Sequence, residues 1–366
     1  MIFRIAIFLC VLSTLAHAQW RTTTIPLDAG WSAIWLHEDA SHLTPAQLFA
    51  NKPEVLEVWR WNANDSVQQF TTSALEPTGG TPDWNYWTRN GTANTLGTML
   101  GQSAYLIRTS QATSFTITGR TMMPSPTWRR ANANFLGFPV PETSPPTMGS
   151  FFSTFASVIA TGSPIYKYIG GDLGPSNPIQ IFSPSSELMR RSRAYAFSAA
   201  ITGDFFGPYS VAFRDGNTQF GKSRNTSTLL LTNRSSTQTI SLTLSPESSV
   251  SDPSGQFTLA GSVPLALRTF NTSTGLYTDA PIASALTITI PPSTTKELSL
   301  RVIRTGFAAD AFYASHLKVK DSQNLSEVYI PVTAVGSSLG GLWIGDVEID
   351  GVSSLAAGSS GTAVGP

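Results

Sequence analysis

The chain of 366 residues has little charge and almost no cysteine. Charged residues make up only 13%, against an average near ~25%, while apolar residues reach 41%. This composition can bury large cores, which argues against disorder and against a coiled coil. The 23 basic and 23 acidic side chains cancel, and no basic stripe is present. Nucleic acid is not expected as a partner, because its binding needs a positive field that collects phosphates.

Long apolar runs are also missing, since nothing after the N-terminus reaches the ~18 apolar residues of a membrane-spanning helix. The N-terminus itself reads as a secretory signal, with Arg4, an apolar run over 5–15 and the small-residue site Ala16-His17-Ala18. We predict cleavage after Ala18, which removes Cys10, the one cysteine of the chain. The mature protein is therefore expected to be secreted or at the cell surface, without a membrane span, and to fold without disulfides, as many bacterial surface proteins do.

An internal duplication is the most informative pattern in the sequence. Val58-Trp59-Arg60-Trp61 matches Ile165-Tyr166-Lys167-Tyr168, and a period of two puts both aromatic residues of each copy on one face of a strand. Upstream, 30–36 corresponds to 134–140, so that Trp31 aligns with Phe135. Downstream, 103–107 corresponds to 193–197. We expect two related units that bury their aromatic faces against each other.

Each unit contains one predicted short helix between its first and second strands. Thr44-Pro45 has a capping residue followed by proline at the first helical position. The counterpart is predicted over about Thr147–Val158, where Met148, Phe151, Phe152 and Phe155 form an apolar stripe.

From about Asn225 the residue pattern changes, and long segments of alternating apolar and polar residues with few aromatics, such as 227–232 and 239–244, predict strands. Short strands separated by Gly, Pro and Ser predict an antiparallel β-sandwich. The predicted fold is thus all-β, with a signal peptide at 1–18, a first aromatic β-module at 19–125, a second at 126–222, an immunoglobulin-like sandwich at 223–336, and the start of a further module or a flexible tail at 337–366.

The repeated pattern resembles a module of exported bacterial proteins that opens with Gly-Trp-Asn and ends near Gly-Tyr-Trp. Gly30-Trp31-Ser32 and Ala104-Tyr105-Leu106 stand in those places, with Ser for Asn in the first and without the Gly and Trp in the second. The sandwich, with Ile290-Pro291-Pro292, resembles an immunoglobulin-like domain of bacterial surface proteins. The resemblance implies a modular exported or cell-surface protein and supplies no catalytic residue.

Catalytic and metal-binding patterns are weak. His37 and His42 are five residues apart, whereas two histidines that share a metal on a helix are four apart. Gly336-Ser337-Ser338-Leu339-Gly340 fits a nucleophile pattern but precedes a strand-like run rather than the helix such a turn needs. We predict no metal, no cofactor and no catalytic set.

The best candidate for a binding site is the aromatic run near residue 85. An indole stacks on the C–H face of a sugar, while amide and charged side chains meet its hydroxyls. The predicted platform consists of Trp84, Tyr86 and Trp87, with a polar rim of Asp83, Asn85 and Arg89. The alternative is a strand whose aromatic residues are core.

These patterns predict a non-catalytic cell-surface or extracellular module for adhesion or scaffolding. Its expected partners are extracellular polysaccharide or other surface proteins. The alternatives are a carbohydrate-binding protein that uses the aromatic platform and a polysaccharide-acting hydrolase.

Overall fold

The computed structural model describes residues 19–62, 76–125, 127–129, 133–154, 164–199 and 202–337. These residues form twenty strands and two short helices, which confirms the predicted all-β fold. The predicted signal at 1–18 and the tail from 338 onward lie outside the described residues. No helix in the described ranges has the length and apolar character that a membrane crossing requires.

The first module consists of two packed sheets. Strands β1 (Trp20–Leu27) and β6 (Thr113–Arg120) form an antiparallel ribbon. A four-stranded sheet in the order β2-β5-β3-β4 contains β2 (Gly30–Leu36), β3 (Val55–Trp61), β4 (Trp84–Thr88) and β5 (Ser103–Thr109). One face of this sheet packs on the ribbon through a core that includes Ile25, Phe49, Val58, Trp87 and Phe115.

The second module repeats the four-stranded sheet. Its strands are β7 (Ala133–Leu136), β8 (Ile165–Lys167), β9 (Ile179–Gln180) and β10 (Tyr195–Ser198), in the order β7-β10-β8-β9. This is the same order as in the first module. Trp59 lies opposite Leu106 and Tyr166 lies opposite Ala196, so the predicted correspondence of Trp59 with Tyr166 has one register in both sheets.

The upstream correspondence was wrong by two residues. Tyr105 lies opposite Ile34 and Tyr195 lies opposite Leu136, so Ala33, not Trp31, is the structural counterpart of Phe135. A strand has a side-chain period of two, and a slip of two residues leaves every apolar residue on the same face. Hydrophobic pattern alone could not distinguish the two alignments.

Both helices begin at the predicted capping residues. Helix α1 (Pro45–Leu48) follows Thr44, whose side chain accepts from the Gln47 N–H, while the Gln47 side chain accepts from the Thr44 N–H. Helix α2 (Met148–Phe151) follows Thr147, which caps the Ser150 N–H. The second helix is shorter than predicted, and Phe155 lies outside the described residues.

The C-terminal unit is a sandwich of two five-stranded sheets. The first has the order β11-β12-β18-β15-β16, and the second has the order β14-β19-β13-β17 with β20 paired to β19. The strands are β11 (Tyr209–Phe213), β12 (Thr226–Asn233), β13 (Ile240–Ser248), β14 (Leu259–Gly261), β15 (Leu265–Asn271), β16 (Leu276–Pro281), β17 (Leu286–Ile290), β18 (Thr295–Val302), β19 (Phe312–Asp321) and β20 (Glu327–Val335).

The predicted boundary at 222/223 was too late. Strand β11 pairs with β12 along its whole length, so the sandwich begins before Tyr209. Tyr209 itself is buried in the sandwich core, and its hydroxyl donates to the Val319 carbonyl at 2.7 Å. The composition change at Asn225 marks the second strand of the sandwich rather than its start.

The two modules share one aromatic core. Phe135 of the second module lies 6.3 Å from the Trp61 ring and 6.5 Å from the Trp84 ring of the first module, centroid to centroid. On its own side it lies 6.0 Å from Tyr168. Trp59 belongs to this core, and Tyr166 packs against it. The second face of the β2-β5-β3-β4 sheet is therefore covered by the second module.

Candidate functional site

The three rings of the predicted platform do not lie on one exposed surface. Trp84 is 3% exposed and belongs to the core shared by the modules, whereas Trp87 is 6% exposed and belongs to the core under the ribbon. Residues three apart on a strand point to opposite faces, which is why β4 sends the two indoles into different cores. Tyr86 stacks on Trp59 at 4.6 Å. The indoles of Trp84 and Trp87 thus follow the alternative interpretation, in which they are core.

The residues of the predicted polar rim do not lie together either, because Arg89 is separated from Asp83 and Asn85. Arg89, directly after β4, donates to the carbonyl oxygens of Val55 at 2.8 Å and Lys52 at 2.6 Å, so its guanidinium joins the end of β4 to the start of β3 and the segment before it. Asp83 accepts at its carbonyl from the Asn62 N–H at 2.8 Å. The side chain of Asn85 accepts from the Asn62 amide. Asp83 and Asn85 thus lead to Asn62, which the sequence did not single out.

Asn62 lies on the wall of an open cleft between the first module and β7. The cleft has a volume of about 370 Å³, near the lower end of the ~300–1,000 Å³ of small-molecule sites. It is lined by Trp35, Arg60, Trp61, Asn62, Leu100, Gln102, Ser103, Ala104, Phe135 and Leu136. Aromatic walls with a few polar groups are typical of ligand sites. Trp61 is 7% exposed, and its indole N–H has no acceptor among the described residues.

The charge in the cleft comes from Arg60. Its guanidinium donates to the Asn62 Oδ1 at 3.0 Å, and it forms no ion pair with a carboxylate in the described ranges. The counterpart in the second module, Lys167, forms an ion pair with Glu187 at 2.5 Å. The duplicated strands therefore carry a cation at the same position, paired in one copy and not in the other.

A second polar cluster lies where the two modules meet the sandwich, and we call it the junction. It consists of Arg21, His37 and Glu38 of the first module, Arg191 of the second and Tyr329 of the sandwich. Arg21 pairs with Glu38 at 2.7 Å, and its guanidinium carbon lies 3.9 Å from the centroid of the Tyr329 ring. The guanidinium carbon of Arg191 lies 5.1 Å from the centroid of the same ring, and Arg191 donates to the Glu327 carbonyl at 2.9 Å.

Burial lowers the pKa of two residues of the junction, His37 and Arg191. His37 Nε2 donates to the Arg191 carbonyl at 2.8 Å, and burial lowers the pKa of His37 well below its usual range, with the Arg191 charge acting in the same direction. Burial also lowers the pKa of Arg191, helped by the nearby charge of Arg21. His37 is thus a neutral donor inside the interface. His42 lies elsewhere, 5.0 Å from the Trp20 ring.

Potential metal ligands do not cluster in the described ranges, where no group of three or more His, Cys, Asp or Glu side chains is suitably placed. Of the nucleophile pattern at 336–340, Ser338, Leu339 and Gly340 lie outside the described residues.

Comparison with known proteins identifies no family. No family model and no curated protein matches the chain. Among solved structures, Escherichia coli alpha-2-macroglobulin activated by porcine elastase is 9% identical with a TM-score of 0.20. A calcium binding mutant of Bacteroides uniformis beta-glucuronidase 2 is 7% identical with a TM-score of 0.16. Each alignment covers 87% of this chain and 33% of the other, so the chain spans about a third of these structures.

Proposed function

We propose that the chain is an exported, non-catalytic scaffolding module, which holds two aromatic β-units and a sandwich in one fixed arrangement at the cell surface or outside the cell. The observation that carries this proposal is the junction, where charged groups of the two modules are buried against each other and against Tyr329 of the sandwich. The signal-like segment at 1–18 supports export. The resemblance to bacterial surface modules supports the same location.

The junction supports rigidity because its contacts depend on geometry. Burying a charge costs several kcal/mol unless its partners are in place, so a shift of one unit would leave Arg21 or Arg191 without them. Backbone hydrogen bonds add to the constraint. The Glu327 N–H donates to the Pro139 carbonyl at 2.7 Å, which joins the sandwich to the second module. The Val250 N–H donates to the Trp20 carbonyl at 3.0 Å, which joins it to the first.

The test measures distances between the units in solution. The mature chain is expected to lack cysteine, so a double variant with one cysteine at each of the exposed positions Ser110 and Ser273 can carry two spin labels. We expect one narrow distance distribution between the first module and the sandwich. A distribution as broad as that of flexibly linked domains would refute the scaffolding proposal.

A matched pair of variants tests whether the junction is responsible. Glu38→Gln removes the buried partner of Arg21, whereas Glu142→Gln removes the same charge from a carboxylate 3.7 Å from Arg21 that is largely exposed. We expect Glu38→Gln to broaden the distribution and Glu142→Gln to leave it unchanged. If both variants behave like the wild type, the junction does not hold the units together.

The hydrolase alternative has a direct test in the same preparation. Release of reducing sugar from polysaccharides by the purified mature chain would contradict the non-catalytic assignment. Export is tested by the N-terminus of the secreted protein, which is expected to be Gln19.

A further inference from the structure

We propose that the contact between the first module and the sandwich opens in acid, and that protonation of His316 opens it. His316 lies on β19 of the sandwich, beside the junction, and its ring reaches Thr121 of the first module. Release in acid goes beyond scaffolding, because it names a condition that ends the fixed arrangement. It rests on the arrangement proposed above.

His316 is buried between two units that no shared sheet holds together. Its Nε2 lies 2.8 Å from the hydroxyl oxygen of Thr121, which directly follows β6, and the residue is 3% exposed. Throughout the described ranges, no sheet combines strands of the first module with strands of the sandwich. The contact depends on side chains and single hydrogen bonds, and such interfaces between domains can open while each domain stays folded.

Backbone hydrogen bonds next to His316 report whether this contact is closed. The Val250 N–H donates to the Trp20 carbonyl at 3.0 Å, and the Trp20 N–H donates to the Ser249 hydroxyl at 2.8 Å. Ser249 and Val250 directly follow β13, on which Glu247 is paired with His316 of β19. These bonds therefore break when the first module separates from the sandwich.

The charged and titratable groups that face His316 come from three other strands. Arg21 of β1 lies 3.9 Å from the ring centroid of Tyr329 of β20, and the His316 ring meets the same ring edge-on at 6.3 Å. Glu247 of β13 is the facing carboxylate, and it forms an ion pair with Lys318. A proton on His316 would thus place a second cation near Arg21, next to a carboxylate that already has a partner.

The closed contact consequently holds the histidine in its neutral form. Burial lowers the pKa of His316 to about 4, and the Arg21 charge acts in the same direction. The Glu247 charge and the backbone of Ser248 and Gln19 favour the protonated form, but each of these effects is smaller. An exposed histidine has a pKa near ~6.5, so the open state binds a proton first as the pH falls. Acid should therefore favour opening by ~100-fold between pH 7.5 and pH 4.

The second module has a separate contact with the sandwich. The Glu327 N–H donates to the Pro139 carbonyl at 2.7 Å, and the Ser326 hydroxyl donates to the same carbonyl at 3.4 Å. Glu327 is paired with Lys320, further along β19 from His316. We therefore expect the sandwich to stay attached to the second module while it separates from the first.

Hydrogen exchange at single-residue resolution, measured on the mature chain from pH 7.5 to pH 4, tests this release. Protection factors are compared, because they remove the intrinsic pH dependence of exchange. The protection factor of the Val250 amide is expected to fall ~100-fold, whereas that of Glu327 should change much less. The Leu244 amide lies inside the sandwich, between β17 and β19, and should keep its protection, which separates opening from global unfolding.

Three variants identify the responsible group. His316→Gln stays neutral at every pH, so the Val250 protection factor should remain nearly constant. The matched control is His42→Gln, which removes a histidine of the first module that lies 5.0 Å from the Trp20 ring, and it should show the wild-type fall. Thr121→Ala keeps His316 and removes its partner, so Val250 should lose protection already at pH 7.5. Thermal unfolding at pH 7.5 shows whether each variant is folded.

Four results would overturn the proposal. They are constant protection of Val250 in the wild type, an equal fall in His316→Gln, equal falls at Val250 and Glu327, and wild-type protection of Val250 in Thr121→Ala at pH 7.5. None of these changes the distances between spin labels at neutral pH. Failure of the acid response is therefore distinguishable from failure of the scaffolding proposal.

Discussion

Truncation of Phe135 tests whether the two modules form a single folding unit. Phe135 is 1% exposed and contacts rings from both modules, with Trp61 and Trp84 on one side and Tyr168 on the other. Phe135→Ala leaves a cavity bounded by side chains of both modules. Such buried Phe→Ala changes cost about 3–5 kcal/mol in the free energy of unfolding, as the sum of lost transfer energy and the cavity.

We expect the free energy of unfolding to fall by this amount and both modules to lose stability. Urea unfolding gives the total, and hydrogen exchange followed by mass spectrometry gives the stability of each module separately. Peptides covering β3 and β5 in the first module, and β7 and β10 in the second, should lose protection to the same extent. A shared core transmits the cavity to both sheets, because each uses Phe135 as a packing partner.

Phe182→Ala is the matched control. Phe182 lies in the second module but is 82% exposed, so the same chemical change should cost less than ~0.5 kcal/mol. If Phe135→Ala weakened only the second-module peptides while the first module kept wild-type protection, the modules would be separate units and the reasoning from the shared core would be refuted.

Three further predictions concern single residues. Burial lowers the pKa of His316 to about 4, so the native protein holds this histidine neutral. The stability that this neutral form contributes is fully present above pH 6.5, and the free energy of unfolding should fall by on the order of 3 kcal/mol as the pH drops to 4. In thermal unfolding, His316→Gln should lose less stability than the wild type over the same pH range. Gly137→Ala should destabilise the protein by more than an exposed Gly→Ala change, because a Cβ there would lie 2.1 Å from the Trp35 Cβ across the module interface; an unchanged unfolding midpoint would contradict this contact. Thr44→Ala should cost about 0.5–2 kcal/mol in urea unfolding through loss of the helix cap, and Thr44→Ser should restore most of it.

Local features of the fold were predictable because their causes lie within a few residues. Thr44 and Gln47 cap α1 reciprocally, and both are visible in the sequence three residues apart. The alternating strands of the sandwich were predictable for the same reason, since burial on one face imposes a period of two.

The predicted platform contained a signal that could have corrected it. Trp84 and Trp87 are three residues apart on a strand, and odd spacings place side chains on opposite faces. One flat surface could therefore include Trp84 and Tyr86 but not Trp87. Which faces are covered depended on β7, which approaches from the second module, and no local pattern in β4 indicates that approach.

The junction was beyond prediction because its members are far apart in the chain. His37 and Arg191 are 154 residues apart, and the Arg21 contact with Tyr329 spans more. A polar run at 37–42 followed by a helix cap has the composition of a solvated loop, yet His37 and Glu38 are buried. Buried polar groups look like exposed ones in a sequence, because their partners come from elsewhere in the fold.

Arg60 and Lys167 show how the two copies of the duplicated unit differ in the pairing of one charge. Both copies place a cation on the second strand of the sheet, and pairing with Glu187 satisfies it in the second copy. In the first copy, Arg60 pairs with no carboxylate among the described residues. An unpaired cation contributes less to stability than a paired one, so the first copy lacks that contribution from the residues described. Glu187→Gln tests this comparison, because it leaves Lys167 without its carboxylate and should lower the free energy of urea unfolding by about 1 kcal/mol or less, since one partly exposed ion pair is lost. An unchanged unfolding midpoint would show that the pair adds nothing to stability.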